Sequence, residues 1–560
     1  MLLFCSRAVM VAGLSLCVVL LWCPPGSAQA KEGEDAPPVI RKIIIEREQI
    51  YTQKEAESTR LFRIINAVNW VTRERIVRQE LLFQEGDLLD VELVAETERN
   101  LRAIKGLATV LVLVEPVREG QVDIRVRTRD ALTLRFEAST SFVGGEAQGR
   151  LSLGENNLFG YGSSLSYIQT RRSNKRVDRV QYFEPRVFGS RHSFFSSYAG
   201  GHTEANGGKL STSYYLFEIA RPLYRLDTRH AYAVGYVFDD GMDTFFNGDI
   251  DATTDVEREK TGANLSYVNR WGSRFDKHTL TSQLAFEDTR YGAVFGTRPI
   301  AVPDNAAVWT WIENYSERKT DYFLEQEQLD ALEGIEDVEF GWEAGLSLGA
   351  GYRDNQTTPD RLSFIHGLNL QSVSLPVTEG ILALKGTALG RVDAGRYQGW
   401  EVNTFAHYYY QGLPEQTLVS SIAFDAVYEG EGLERELVLD EASGLRGYRA
   451  KAFSGNKRLR LNVEDRIFTP IEFYSVVVGV ALFFDSGYVW KRGEHPDLGD
   501  LRSSAGIGLR IGSLPLIKKN VIRIDMAFPF TSDDAAGFSI SFSGGQVIQL
   551  LRNAEGNENF

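Results

Sequence analysis

Cysteine is nearly missing from this chain. The three that occur, Cys5, Cys17 and Cys23, lie within the first 23 of 560 residues, so the remainder has neither disulfides nor thiolate metal sites. Long apolar runs are missing beyond the N-terminus as well. A membrane-spanning helix needs roughly 18 consecutive apolar residues, and the longest clean run, 476–484, is half of that. The exported chain therefore does not cross a membrane as helices. There is no basic excess either: the formal charge is −14 without a local basic stripe, which argues against nucleic acid as a partner. Methionine (4) is scarce, whereas Gly (52), Phe (32), Tyr (23) and Trp (8) are plentiful, a mixture suited to many strands and tight turns.

Residues 1–30 carry one charge, Arg7, then an apolar run over 8–22 and the small-residue sequence Ala28-Gln29-Ala30. This reads as a secretory leader, with 31–37 as a linker. The alternative, a lipid anchor at Cys23, puts the bulky Trp22 where a small residue is expected. An exported chain without apolar helices is a soluble β protein or a closed barrel, the other backbone arrangement that satisfies its hydrogen bonds in lipid.

Alternation favours the barrel. Ile522, Ile524, Met526 and Phe528 share one face of a strand, while Val521, Arg523 and Asp525 share the other. Leu459, Leu461 and Val463 alternate with Arg460, Asn462, Glu464 and Arg466, and Ala505, Ile507, Leu509 and Ile511 alternate with Gly506, Gly508, Arg510 and Gly512. A polar face of this content suits a lumen, with lipid outside, and the aromatic-rich segments 407–410 and 488–490 suit an interfacial girdle. About 20 candidate strands fit between 132 and 546, among them 132–143, 147–157, 163–172, 192–202, 209–224 and 229–239. Counted from a periplasmic N-terminus, the long polar segments 239–259 and 430–455 both fall on the outer side. Segment 325–337 is long for an inner turn.

The region before the barrel has another rhythm. Segment 39–46 is an isoleucine-rich strand, and Thr72 is placed to N-cap a helix carrying Ile76, Val77, Leu81 and Leu82, with Glu74 in its first turn. Gly86-Asp87 turns the chain, and Asp90 caps a second helix with Leu93, Thr97 and Leu101. Strands at 109–114 and 122–126 complete a β-α-α-β-β unit, a small helix-on-sheet core. The strand 122–126, with Ile124 at its middle, is expected to offer a sheet edge to clients.

The segment Thr72-Arg-Glu-Arg-Ile-Val-Arg-Gln-Glu-Leu-Leu-Phe-Gln-Glu-Gly-Asp87 with Leu101-Arg-Ala-Ile104 resembles a POTRA domain, the periplasmic module of the outer-membrane insertase and two-partner secretion superfamily of BamA-, TamA- and FhaC-like proteins. The barrel resembles the same superfamily, here one with a surface-antigen-type β-barrel. Asn156-Asn157-Leu158-Phe159-Gly160-Tyr161-Gly162 is similar to its N-L-x-G-x-G element, and Leu445-Arg446-Gly447-Tyr448 to its [VIL]-R-G-[FY] loop. Asn462-Val-Glu464-Asp-Arg466 is similar to its N-x-E-x-R strand, and Phe483-Phe-Asp485-Ser-Gly487 to its F-x-D-x-G strand. Only one POTRA-like unit fits between Pro38 and about Asp130. Asp465 falls on what should be a lipid face.

The resemblance implies an all-β transmembrane antiparallel barrel of 16 strands, against up to 20 by pattern, behind one small α+β POTRA-like domain. The domains are then a leader at 1–30, a linker at 31–37, the POTRA-like domain at 38–130 and the barrel at 131–560. It also implies a loop latch: Arg446, Gly447 and Tyr448 reach into the lumen, where Arg446 pairs with Asp485 and has Glu464 as a second carboxylate. Phe483, Gly487, Asn462 and Arg466 make up the surrounding barrel motif.

Enzyme signatures do not hold up. Gly345-Leu-Ser347-Leu-Gly349 matches G-x-S-x-G but sits inside an alternating strand segment, where a nucleophile elbow needs a strand-to-helix turn. The seven histidines form no H-E-x-x-H, and no phosphate-cradling loop occurs. The acidic stretch 239–259 lacks the glycine turn of a calcium loop. No catalytic residue, cofactor or metal is expected. The expected function is assembly or secretion of proteins at the bacterial outer membrane. Its partners would be unfolded or exported polypeptide clients, outer-membrane lipids and lipopolysaccharide. The alternative is a structural surface barrel or passive pore with a periplasmic brace.

Overall fold

The computed structural model describes residues 37–551 apart from 144–145, 173–174, 206–207, 246–253, 297–301, 303, 356–360, 378, 394, 430–436, 449–451 and 532–537. The leader, most of the linker and the middle of the acidic stretch lie outside the described residues. Arg258, at the end of that stretch, pairs with Asp239 and Asp243 across two barrel strands.

The N-terminal unit is a three-stranded sheet with helices on it. Strand β1 (Val39–Glu48) is followed by α1 (Gln53–Ser58), α2 (Arg60–Val68), α3 (Glu74–Glu80) and α4 (Val91–Ala103), then by β2 (Leu107–Arg118) and β3 (Gln121–Asp130). Ile40, Ile43, Val110, Val112, Ile124 and Val126 from the sheet pack against Val77, Phe83, Val94 and Leu101. Asp90 caps α4 by accepting from the Glu92 and Leu93 amides.

Two expectations change here. Strand β3 is central, parallel to β1 on one side and antiparallel to β2 on the other, so Ile124 is fully buried and offers no edge. The sheet's edges are β1 and β2. Thr72 does not cap α3, whose N-cap position is Arg73. Its amide instead donates to Asp130 at 2.7 Å and its hydroxyl accepts from Asn157 at 2.9 Å, bonds to β3 and to the barrel that outweigh a local cap. Helices α1 and α2 are additional to the expected unit. Their starts are legible: Thr52 and Glu55 form a reciprocal capping box, and Thr59 caps α2.

Among the described residues twenty antiparallel strands, from Leu134–Val143 to Ser539–Gly544, form one sheet that returns on itself as a barrel. The implied count of 16 is thus corrected to the number that alternation offered. The reason is geometric: each alternating segment pairs with a neighbour on both sides, and none is left over as a hairpin in a loop. One small hairpin, Leu437–Leu439 with Phe453–Gly455, stands outside this sheet. The ring is completed where Leu134–Val143 meets Ser539–Gly544 over only three residue pairs. The neighbouring pair, Lys518–Pro529 with Ser539–Gly544, has six, and Ala306–Gln326 with Glu336–Asn355 has twenty.

Burial is inverted relative to a soluble sheet. Along Lys457–Phe473, Arg458, Arg460, Asn462, Glu464 and Arg466 are buried, whereas Leu461 is exposed on the outer face. Asp465, on that outer side, is only half-buried. Ser347, from the G-x-S-x-G match, lies mid-strand and donates to Asn314.

The N-terminal unit packs on one end of the barrel. Arg102 forms a bidentate pair with Asp337 at 3.0 and 2.6 Å, Arg186 bonds Glu80, and Arg274 bonds Asp90. The N-L-x-G-x-G segment forms the socket. Asn157 donates to the Trp70 carbonyl as well as to Thr72, and Gly160 (φ +77°) sits so close to Val71 that a Cβ would lie 2.5 Å from its carbonyl oxygen.

Asp130, at the heart of this junction, is buried, and that burial pushes its carboxyl up to about 6. A folded pKa above the unfolded value favours the protonated form in the native state, so this stability is full below about pH 4 and lost as pH rises through about 6. The amount is about 3 kcal/mol. Asp130→Asn is expected to remove that slope and to be more stable than the parent at pH 7. Calorimetry of the detergent-folded protein between pH 3.5 and 7 measures this; equal slopes in both proteins would contradict it.

Candidate functional site: an ion network in the lumen

Between the strands Gln416–Glu429 and Lys457–Phe473, residues 437–448 enter the barrel. Its turn is held by Asp440, whose carboxylate accepts from the Ser443 amide at 2.9 Å and whose carbonyl accepts from the Leu445 amide at 2.8 Å. Leu439, Leu445 and Tyr448 form a small buried cluster beneath it.

Arg446 is delivered to the centre. Its Nε and Nη2 donate to the two oxygens of Asp485 at 2.7 and 3.0 Å, the bidentate arrangement that suits a guanidinium. Nη1 donates to Glu464 at 2.8 Å and to Asp525 at 3.2 Å. The Phe483 ring lies under the guanidinium, 3.4 Å from Cζ. None of Arg446, Glu464, Asp485 or Asp525 is more than 1% exposed.

The other expected residues surround this contact. Asn462 donates to Asp485 at 2.8 Å and to the Gly444 carbonyl at 2.6 Å, which ties the loop backbone to the wall. Tyr448 donates to the Ser503 carbonyl at 3.0 Å. Gly447 has φ +96° and packs against Ala527 and Pro529, so a side chain is disfavoured twice. At Gly487 a Cβ would meet both Leu439 methyl carbons at 3.1 Å, so its absence admits the hairpin. Gly506 leaves room for the Phe483 ring, which a Cβ would meet at 2.3 Å.

Several members were not singled out from sequence. Arg510 bridges Glu464 at 3.0 Å and Asp525 at 2.6 Å, and Arg523 reaches Asp525 at 3.4 Å. Arg460 donates to the Ser443 carbonyl and to Asp425, which also takes Arg458. Alternation marked Arg460, Arg510, Arg523 and Asp525 as lumen-facing, whereas Arg458 and Asp425 were not read; the partners come from neighbouring strands and were invisible locally. The network then continues toward the docked end. Arg466 joins Glu464 at 3.0 Å to Asp330 at 3.2 Å and donates to the Leu329 and Ile548 carbonyls.

Asp330 belongs to the turn 327–335, the long segment that looked awkward for an inner turn. It folds into the barrel mouth together with residues 546–551. Leu329, Val547 and Ile548 pack on Phe340, Tyr409 and Val419, and Asp330 accepts from Tyr409 and from the Leu550 amide. Among the described residues, Arg446, Arg458, Arg460, Arg466, Arg510 and Arg523 thus face Asp330, Asp425, Glu464, Asp485 and Asp525, six cations against five carboxylates.

Residues 399–547, which supply all of these groups except Asp330, match the family model described as the Omp85 superfamily domain. The chain carries an Omp85 superfamily domain. Outer-membrane placement, a β-barrel and a part in protein transport or membrane assembly fit that match. Solved structures similar to the chain include BamA from Haemophilus ducreyi lacking POTRA domains 1–3, at 14% identity and TM-score 0.38, covering 90% of this chain and 84% of that one. CdiB from Escherichia coli is 12% identical with TM-score 0.44 over 94% of this chain and 93% of that one. CdiB from Acinetobacter baumannii is 12% identical with TM-score 0.37 over 91% and 74%. The likeness to the superfamily is carried by the sequence match over residues 399–547 and not by these superpositions. No curated protein matches the sequence.

Within the Omp85 domain, Arg446→Ala and Asp485→Ala are each expected to cost about 3–5 kcal/mol, since each leaves buried charge unpaired. The double substitution should cost less than the sum, by roughly 1–3 kcal/mol. Loss of the compact, heat-modifiable gel band with temperature reads all three variants, and strictly additive losses would contradict the pairing.

Proposed function

We propose that this protein inserts or exports polypeptides at the outer membrane: its N-terminal unit, acting as a POTRA-like domain in the periplasm, receives the client, and the barrel hands it on at the seam. The observation that carries this reading is the three-pair contact between Leu134–Val143 and Ser539–Gly544, the shortest junction among the described residues of the ring. A client strand adding there replaces few native hydrogen bonds and gains a full ladder. The lumen, by contrast, is occupied by the inward loop, the turn 327–335 and residues 546–551, an arrangement that disfavours the passive-pore alternative.

Client capture falls to β2. It is an edge strand, and Leu111, Leu113, Val114 and Val117 are exposed along it. The latch governs the seam because its contacts are made next door. Arg446 bonds Asp525, and Gly447 packs on Ala527 and Pro529, all in the strand that pairs with the seam strand Ser539–Gly544. With Arg446 seated, that strand is braced; with the loop withdrawn, Asp525 and Asp485 lose a partner and the wall beside the seam loosens.

Ser141 and Ser541 are directly opposite across the seam. The double variant Ser141→Cys/Ser541→Cys, oxidised in the folded protein, is expected to stop delivery of outer-membrane or secreted clients, and reduction to restore it. Delivery is read from the outer-membrane and secreted proteomes of cells that depend on the variant. Undiminished delivery by the fully crosslinked protein would overturn the seam route.

A further inference from the structure

Helix α2 is nine residues long, carries Arg60 and Arg63, and has no acidic residue. Its inner face is accounted for. Phe62 stacks on Tyr51 at 3.8 Å and meets Tyr474 edge-on at 5.9 Å, Ile65 packs beside them with Leu132 and Leu516, and Asn66 bonds the Tyr51 backbone in both directions. The outer face is apolar and uncovered. Leu61, Ile64 and Val68 are 48, 60 and 51% exposed. At 100° per residue the three fall within an arc of about 60°, with Arg60 at its border.

This stripe continues into the barrel's own outer rim. Trp70, two residues beyond the helix, is exposed and lies 5.2 Å from the exposed Phe159 in the turn after Glu146–Leu158. On the other side the exposed Ile471, Phe473 and Tyr474 end the strand Lys457–Phe473, whose outer face carries the exposed Leu461. Phe62 of α2 meets Tyr474, and the cluster it forms with Ile50 and Tyr51 packs on Leu132, just before the seam strand Leu134–Val143, and on Leu516, in the turn before Lys518–Pro529.

We propose that α2 lies on the periplasmic leaflet of the outer membrane, its Leu61, Ile64 and Val68 face in the acyl boundary and Arg60 and Arg63 among anionic phospholipid headgroups. This rests on the periplasmic placement of the N-terminal unit given above. An apolar stripe bordered by cations is the composition of a helix lying in an interface. Tryptophan and tyrosine at its two flanks are the side chains that favour headgroup depth. Continuity with the lipid-facing belt of the strands selects a lipid surface over a protein: a partner protein on this face would have to share it with the bilayer edge. Set beneath the seam, the helix perturbs lipid order where a client strand would enter.

The test uses the fact that residues 31–560 contain no cysteine. Ile64→Cys carries an environment-sensitive NBD label in the full protein, folded into vesicles of phosphatidylethanolamine and phosphatidylglycerol with or without nitroxide-bearing lipid. Leu368→Cys, on the outer barrel face, and Glu119→Cys, in the exposed turn between β2 and β3, are the references. The label at 64 is expected to shift to the blue and to lose intensity to nitroxide lipid as the label at 368 does, while 119 stays in water. Adding Leu61→Ser and Val68→Ser to the 64 variant should return its emission to that of 119, with the heat-modifiable band confirming the fold. A label at 64 that behaves like 119 while 368 is quenched would overturn the helix inference alone. A label at 368 that is not quenched would overturn the barrel's membrane placement and the inference with it.

Discussion

The architecture depends on one buried contact, the bidentate pair of Arg446 with Asp485, because a guanidinium withdrawn from water inside a barrel has no bulk solvent to fall back on. Moving each ion into such a place costs several kcal/mol, and mutual attraction offsets this only where every donor and acceptor is met. Here the donors of Arg446 are divided among Asp485, Glu464 and Asp525, and Asn462 holds both Asp485 and the loop carbonyl of Gly444. That each of the network's arginines meets a carboxylate follows from the same constraint. An unpaired charge at this depth would either draw water into the barrel wall or stay unfolded. The network thus specifies where the inward loop must sit more than it adds to stability.

Small side chains are the complement of that charge. The Phe483 ring can slide under Arg446 because position 506 has no Cβ, and the hairpin can approach the wall because position 487 has none. Both glycines lie on strands that otherwise alternate large and polar residues. Their spacing is therefore a packing requirement of the inward loop, and a barrel with an empty lumen would have no need of it.

Alternation of side chains carries the face a residue points to, and that much was legible: which residues of Lys457–Phe473 line the lumen, and that twenty segments have strand character. It carries no information on partners. Asp525 and Arg510 could be placed on the inner face but not beside Glu464, since their adjacency depends on register across four strands. The same limit explains β3. A hydrophobic strand in sequence looks alike at an edge or in the centre, and only pairing on both sides distinguishes them. Thr72 shows the opposite failure. Its local pattern is that of a cap, but Asp130 and Asn157 offered it better bonds from far along the chain. Helices α1 and α2 had legible caps, yet their apolar residues divide between a core face and an uncovered one, a division that no short window contains.

Glu464 has a position in the network that no other carboxylate shares. One oxygen takes Arg446 from the inward loop and Arg510 from the wall, and the other takes Arg466, which reaches Asp330 and the carbonyls of Leu329 and Ile548 at the docked end. The loop on one side of the barrel and the turn 327–335 on the other are therefore bound to the two oxygens of a single buried group. Without Arg446, Glu464 would keep Arg510 and Arg466 as its partners.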